Sequence, residues 1–97
     1  MQLYAILRRN GWKTGADLEA AAARSTEVGN ADGSGVRWIR SYVLPESDGS
    51  LATVCIYEAD SENAIRRHAS DADLPLTEIL PVADTVVVRP DPVAATV

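Results

Sequence analysis

Cys55 and His68 are the only cysteine and the only histidine in this 97-residue chain, and the stretch C-I-Y-E-A-D-S-E-N-A-I-R-R-H-A sets them thirteen positions apart. Such a pair has three uses. It can be a thiolate activated by an imidazole, a pair of metal ligands, or two ordinary core residues of a strand and a helix. A dyad needs direct hydrogen-bond reach of about 3 Å. A zinc-type cage needs CxxC or Cys2His2 spacings, and the chain has neither. The elements that carry the two residues decide between these uses.

Composition bounds the answer first. A net charge of −5 provides no clustered basic face for nucleic acid and no attraction to an anionic membrane. A single cysteine forms no internal disulfide, so nothing calls for an oxidising compartment. The start, M-Q-L-Y-A-I-L-R-R, is too short an apolar run for a secretion signal and has its charges on the wrong side. No run approaches the length of a membrane span. The expectation is a soluble cytoplasmic protein with one domain over residues 1–89 and an extended or disordered tail over residues 90–97.

Residues 2–9 alternate as a strand, and Asn10-Gly11 reads as a turn. Thr14 is a candidate N-cap for an alanine-rich helix over residues 16–28, whose buried stripe runs through Leu18, Ala21, Ala22, Ser25 and Val28. Residues 36–44 and 51–58 read as two strands joined by a polar hairpin loop. Asp60 and Ser61 offer N-caps for a second helix over residues 62–72, which Leu74-Pro75 ends. A fourth strand is expected over residues 77–89, interrupted near Pro81 and strongest at T-V-V-V-R. The order β-α-β-β-α-β is the split pattern of a ferredoxin-like α+β sandwich, a four-stranded antiparallel sheet with both helices on one face.

Strand parity divides the sheet into two faces. One set reads Leu3, Ala5, Leu7, Ile39, Ser41, Val43, Ala52, Val54, Ile56 and Glu58, and is expected beneath the helices because it is small and aliphatic. The other holds Tyr4, Trp38, Arg40, Tyr42, Cys55 and Tyr57, four of the five aromatic residues. An aromatic face with little charge suits a pocket or a homodimer interface. On this assignment Cys55 faces away from the helices, as a small buried hydrophobe, and His68 faces the sheet from the second helix. The dyad then falls apart. Glu58 becomes the expected companion of His68, orienting its ring or sharing a metal or other ligand with it. The bland alternative is a satisfied core histidine. Trp12 is expected either as a lid over a pocket mouth or as a loop anchor.

The runs G-V-R-W-I-R-S-Y-V, T-V-C-I-Y-E-A-D-S-E-N-A-I-R-R-H-A and L-P-L-T-E-I-L-P-V together resemble one small bacterial family. It was long catalogued as a domain of unknown function and includes an actinobacterial nickel-binding protein. The resemblance implies a ferredoxin-like fold, a homodimer packed sheet to sheet, and nickel or another divalent transition metal as cofactor, with no established reaction. Where relatives tend to carry acidic residues just after the first strand, this chain has Arg8, Arg9, Asn10 and Gly11.

The leading expectation is a small dimeric metal- or ligand-binding protein without catalysis, with His68 and Glu58 at its site. The rival is a cofactor-free small enzyme of the dimeric α+β barrel type, monooxygenase- or isomerase-like. That rival rests on fold analogy alone. A closed polar cavity touching both His68 and Glu58 would favour it.

Overall fold

A computed structural model describes residues 1–92. Its elements are β1 (Gln2–Trp12), α1 (Gly15–Gly29), β2 (Val36–Pro45), β3 (Leu51–Ala59), α2 (Glu62–Asp71) and β4 (Glu78–Pro81). The sheet is antiparallel throughout, with strand order β2-β3-β1-β4. This is the ferredoxin-like α+β fold anticipated from the element order.

Both helices begin where their sequence signals place them. The Thr14 hydroxyl accepts the Asp17 amide at 3.1 Å, and the Ser61 hydroxyl accepts the Ala64 amide at 3.1 Å. Each satisfies one amide that a first helical turn leaves without a carbonyl partner. The α2 stripe of Ile65, His68, Ala69 and Ala72 is buried as its periodicity requires. On α1 the buried positions are Ala21 and Ser25, with Leu18, Ala22 and Val28 half-buried.

Two irregularities shape the sheet. Asn10-Gly11 is not a turn. β1 runs through it to Trp12 and absorbs it as a bulge, because Asn10 takes a positive φ of 48°, which asparagine tolerates better than most residues. Arg8 pairs with Thr53 and Trp12 with Leu51, so β1 uses four steps where β3 uses two. A second bulge sits at Ile39. Trp38 pairs with Tyr57 and Arg40 with Ile56, so β2 takes two steps against one of β3. Side-chain parity therefore reverses along β2 after Trp38.

On β1, β3 and β2 up to Trp38 the faces are opposite to the parity expectation, whereas beyond the Ile39 bulge Ser41 and Val43 lie on the helix side as expected. The buried cluster joins Ile6, Cys55, Tyr57 and Ile79 of the sheet to Ala64 and Ile65 of α2, with Tyr4 packed against it. The aromatic set thus lies beneath the helices. Leu3, Ala5, Leu7, Val54, Ile56 and Glu58 form the open face. Both faces are apolar enough that alternation alone does not choose between them. The helices choose. They present Ala21, Ser25, Ala64 and Ala69 to the sheet, and only bulky strand side chains fill the layer that these leave. Arg40 and Tyr42 were assigned with the aromatic set, but the Ile39 bulge carries them to the open face with Ile56 and Val54.

The fourth strand is short. Pairing ends at Pro81, and residues 83–92 carry no regular structure, so T-V-V-V-R is not part of the sheet. Val86, Val87 and Val88 are exposed. Although β4 and β2 are opposite edges, the tail reaches β2: the Asp91 carboxylate accepts the Tyr42 hydroxyl at 2.8 Å and Arg40 Nη1 at 3.1 Å. Of the tail expected over residues 90–97, positions 93–97 lie outside the described residues. Among the described residues no helix is long and apolar enough to cross a membrane.

Candidate functional site

The small residues of α1 leave space above the sheet. A cavity of about 390 Å³ lies there, roofed by Leu18, Ala21, Ala22 and Ser25 of α1. Its floor is Trp38, Ser41 and Val43 of β2 and Thr53, Cys55 and Tyr57 of β3. Arg8, Trp12 and Leu74 close one side. The bulge at Asn10-Gly11 leaves Trp12 opposite Leu51, buried and in the cavity wall. Trp12 is thus neither the lid nor the loop anchor expected of it, but a strand residue in the wall of the cavity.

The cavity is mainly apolar, and its polar atoms gather around Tyr57. The Tyr57 hydroxyl and Ser25 Oγ are 2.8 Å apart. Trp38 stacks on Tyr57 with ring centroids 6.1 Å apart and planes 10° from parallel, and its indole nitrogen donates to Ser41 Oγ at 2.8 Å. Burial pushes the Tyr57 hydroxyl above the usual phenol range, against the opposing effects of the Ser25 bond and the nearby Arg8 charge. Tyr57 stays neutral near pH 7 and acts as a hydrogen-bonding group.

Arg8 is the unusual member of this group. It is only 1% exposed. Its Nη1 donates to the Pro75 carbonyl at 2.7 Å, while its Nη2 is buried with no hydrogen-bond partner. The guanidinium lies close enough to the Tyr57 hydroxyl to oppose the effect of burial, by its charge and by hydrogen-bonding proximity, although no bond of full strength forms between them. Arg8 belongs to none of the ion pairs among the described residues, which are Arg9–Glu46, Arg37–Glu58, Arg40–Asp91 and Arg66–Glu62. Removing a guanidinium from water without a counter-charge costs several kcal/mol. Nor can the group shed its charge, since arginine does not deprotonate in proteins.

His68 is a satisfied core residue at one ring nitrogen. Nε2 meets the Ser25 carbonyl at 3.1 Å, and because a carbonyl only accepts, the proton is on Nε2. Nδ1 is buried and bare. The ring lies 5.5 Å from that of Tyr57, tilted by 57°. Burial is the main cause that lowers its pKa, and the Arg8 charge adds to this, so the ring is neutral at physiological pH.

The expected partnership of His68 with Glu58 does not form. Glu58 is on the open face, paired with Arg37 at 3.2 Å, because the strand carrying it faces the other way from the parity assignment. Cys55 is corrected in the same sense. It shares the helix-facing layer with His68, and its thiol is 3.3 Å from Thr53 Oγ1. A Cys-His dyad is still absent: the thiol bonds to Thr53 Oγ1, and His68 Nδ1, the ring nitrogen that could accept its proton, has no hydrogen-bond partner. Of the aromatic face, Trp38, Cys55 and Tyr57 line the cavity, Tyr4 packs against the core cluster, and Arg40 and Tyr42 stand on the open face holding Asp91. Arg8 is the site residue that sequence reasoning missed. Its even position in β1 puts it on the face of Tyr4 and Ile6, and only the packing of the helices turns that face inward.

The residues present do not fit a metal centre. A recess of about 160 Å³ has His68, Asp32 and Asp71 in its wall. Even so, no three His, Cys, Asp or Glu side chains converge on one ion among the described residues. Arg8, within β1, also brings a positive charge into the core, which disfavours a cation there.

A ferredoxin-like α+β domain with a cavity open to solvent beneath its first helix is the class that this fold and site define. The chain belongs to the family described as nickel responsive protein SCO4226-like, which matches residues 4–82. Among solved structures it is similar to SCO4226 from Streptomyces coelicolor A3(2), with a TM-score of 0.71 and 21% identity over 87% of this chain and 99% of that one. At that identity the likeness speaks to the fold alone. No curated protein sequence matches the chain.

Proposed function

We propose that this protein is a binding module without chemistry of its own. It takes a small, mostly apolar molecule into the cavity under α1 and works as a homodimer joined through the open sheet face. The observation that carries the reading is the cavity itself. Its volume of about 390 Å³ falls in the range of small-molecule sites, about 300–1,000 Å³, and apolar walls around a few polar groups are the usual makeup of such sites. The homodimer expected on the aromatic face is moved to the other side, since the chain's own helices cover that face. On the open face Tyr42, Leu44 and Leu80 are exposed around Leu3, Ala5, Leu7, Val54 and Ile56, which supports burial by a second copy. The cytoplasm is the compartment that suits one free cysteine and no disulfide.

The test is a neutral fluorescent probe, N-phenyl-1-naphthylamine. It should bind once per chain with a rise in emission, and Ala22→Phe, which fills the cavity from α1, should abolish the rise. Emission that is unchanged by the protein, or equal in the variant, would remove the cavity from the reading.

A second reading rests on the family description: nickel(II) is the ligand to which the protein responds. It calls for ligands from more than one copy, or from surface carboxylates, because one chain brings no set of three together. Nickel titration of the wild type beside His68→Gln and Glu58→Gln tests it. Equal affinity in all three would place any nickel site away from both residues. The enzyme alternative asked for a polar cavity touching His68 and Glu58. Those residues are on opposite faces of the sheet, so it has no acid-base pair to rest on.

A further inference from the structure

We infer that the cavity under α1 takes a monoanionic ligand, an aromatic or compact apolar carboxylic acid whose carboxylate sits on Arg8. The inference rests on the reading of this cavity as a binding site and adds the chemical class of its occupant.

Arg8 supplies the argument. It lines the cavity, it is buried to 1% exposure, and it has no ion-pair partner among the described residues. One amino group of its fork is bonded to the Pro75 carbonyl, and the other has no acceptor. A permanent charge in a mainly apolar chamber with an idle donor is half of an ion pair. The other half must be an acceptor that brings its own negative charge and fits between low-polarity walls. Carboxylate matches the planar guanidinium fork and forms short, charge-assisted bonds with it. The Tyr57 and Ser25 hydroxyls, bonded to each other, leave one proton between them as a further donor in the same lining.

The walls select the rest of the molecule. Leu18, Val43 and Leu74 offer apolar surface with no polar group of their own, and Trp12 adds a large aromatic side chain. Glu19 is also in the lining and is exposed, and it makes no ion pair with Arg8. Its charge disfavours a second negative group on the ligand, as does the protein's net charge of −5. One buried guanidinium balances one carboxylate. A phosphate ester with two charges would leave one of them unpaired in the cavity.

The chain provides its own readout, because both of its tryptophans, Trp12 and Trp38, are in the cavity wall. Tryptophan emission is titrated with 2-naphthoate and, separately, with 2-naphthalenemethanol, its neutral counterpart. Wild type should bind the acid at least tenfold more tightly than the alcohol. Arg8→Met should bring the acid down to the affinity of the alcohol and leave the alcohol unchanged. Equal affinities in wild type would overturn the anion inference and keep the cavity as a neutral site. So would an acid preference that survives in Arg8→Met. If neither probe binds, the cavity reading falls and the inference falls with it. The acid-to-alcohol ratio in wild type decides the matter even if Arg8→Met does not fold.

Discussion

The Tyr57 hydroxyl lies 2.8 Å from Ser25 Oγ, a buried bond that ties the middle of the sheet to the helix above it. Both residues line the cavity, and the Ser25 carbonyl also receives His68, so β3, α1 and α2 meet at one point. Losing this bond leaves a buried hydroxyl unpaired. Tyr57→Phe and Ser25→Ala should each cost about 0.5–1.5 kcal/mol. The double variant should cost less than the sum, because both remove the same bond. Urea unfolding of the four proteins measures it. Full additivity would mean that the two hydroxyls do not interact in solution.

His68 makes stability depend on pH in a defined direction. Its folded-state pKa is lowered, chiefly by burial, below the value of about 6.5 for a free imidazole. Between the two values the unfolded chain binds the extra proton and the folded chain does not, so stability rises with pH across that window. The contribution is complete above about 6.5 and is lost as pH falls toward the folded value. Melting temperature should therefore decline on acidification from pH 7.5 to 5. His68→Gln keeps a donor near the Ser25 carbonyl but cannot titrate, and should flatten that decline. An identical pH profile in the variant would take His68 out of the linkage.

The open face predicts self-association. Val54 is central on it, between Leu7 of β1 and Tyr42 of β2. Val54→Glu should convert a dimer into a folded monomer of 10.4 kDa, because a buried interface does not tolerate an unpaired carboxylate. Sedimentation of both proteins at micromolar concentration is the measurement, with circular dichroism to confirm the fold. A wild type that sediments as a monomer would end the dimer proposal.

Asp91 ties the tail to the sheet by a hydrogen bond to Tyr42 and an ion pair with Arg40, and these hold its carboxyl below the usual carboxylate range. The tether is exposed, so it should affect local order more than global stability. Asp91→Asn should speed amide exchange in residues 83–92 while leaving the melting temperature near the wild-type value. Acidification through the depressed Asp91 pKa should do the same to the native chain. Unchanged exchange in the variant would mean that other contacts fix the tail.

Much of the architecture was legible in the residues themselves. Thr14 and Ser61 announce helix starts, Ile65, His68, Ala69 and Ala72 recur at helical spacing, and the β-α-β-β-α-β order leaves few topologies. These signals are local, carried by capping hydrogen bonds and by apolar periodicity. Two short-range misreadings had local causes as well. Asn10-Gly11 has turn chemistry but also suits a bulge, and the Val86–Val88 run has strand propensity but no neighbouring strand to pair with.

The sequence by itself determined that one face of the sheet would hold Tyr4, Trp38, Cys55 and Tyr57, because alternation along a strand is a property of the backbone. Only the tertiary structure decided that this face lies inside. That choice depends on volume, which is shared between elements far apart in the chain: small residues on α1 and α2 demand large ones from the sheet. The same choice brought Arg8 into the core, placed Glu58 on the opposite side from His68, and left a cavity where the alanines of α1 fall short of the strands. The candidate site is a product of that mismatch in size, and no spacing along the chain records it.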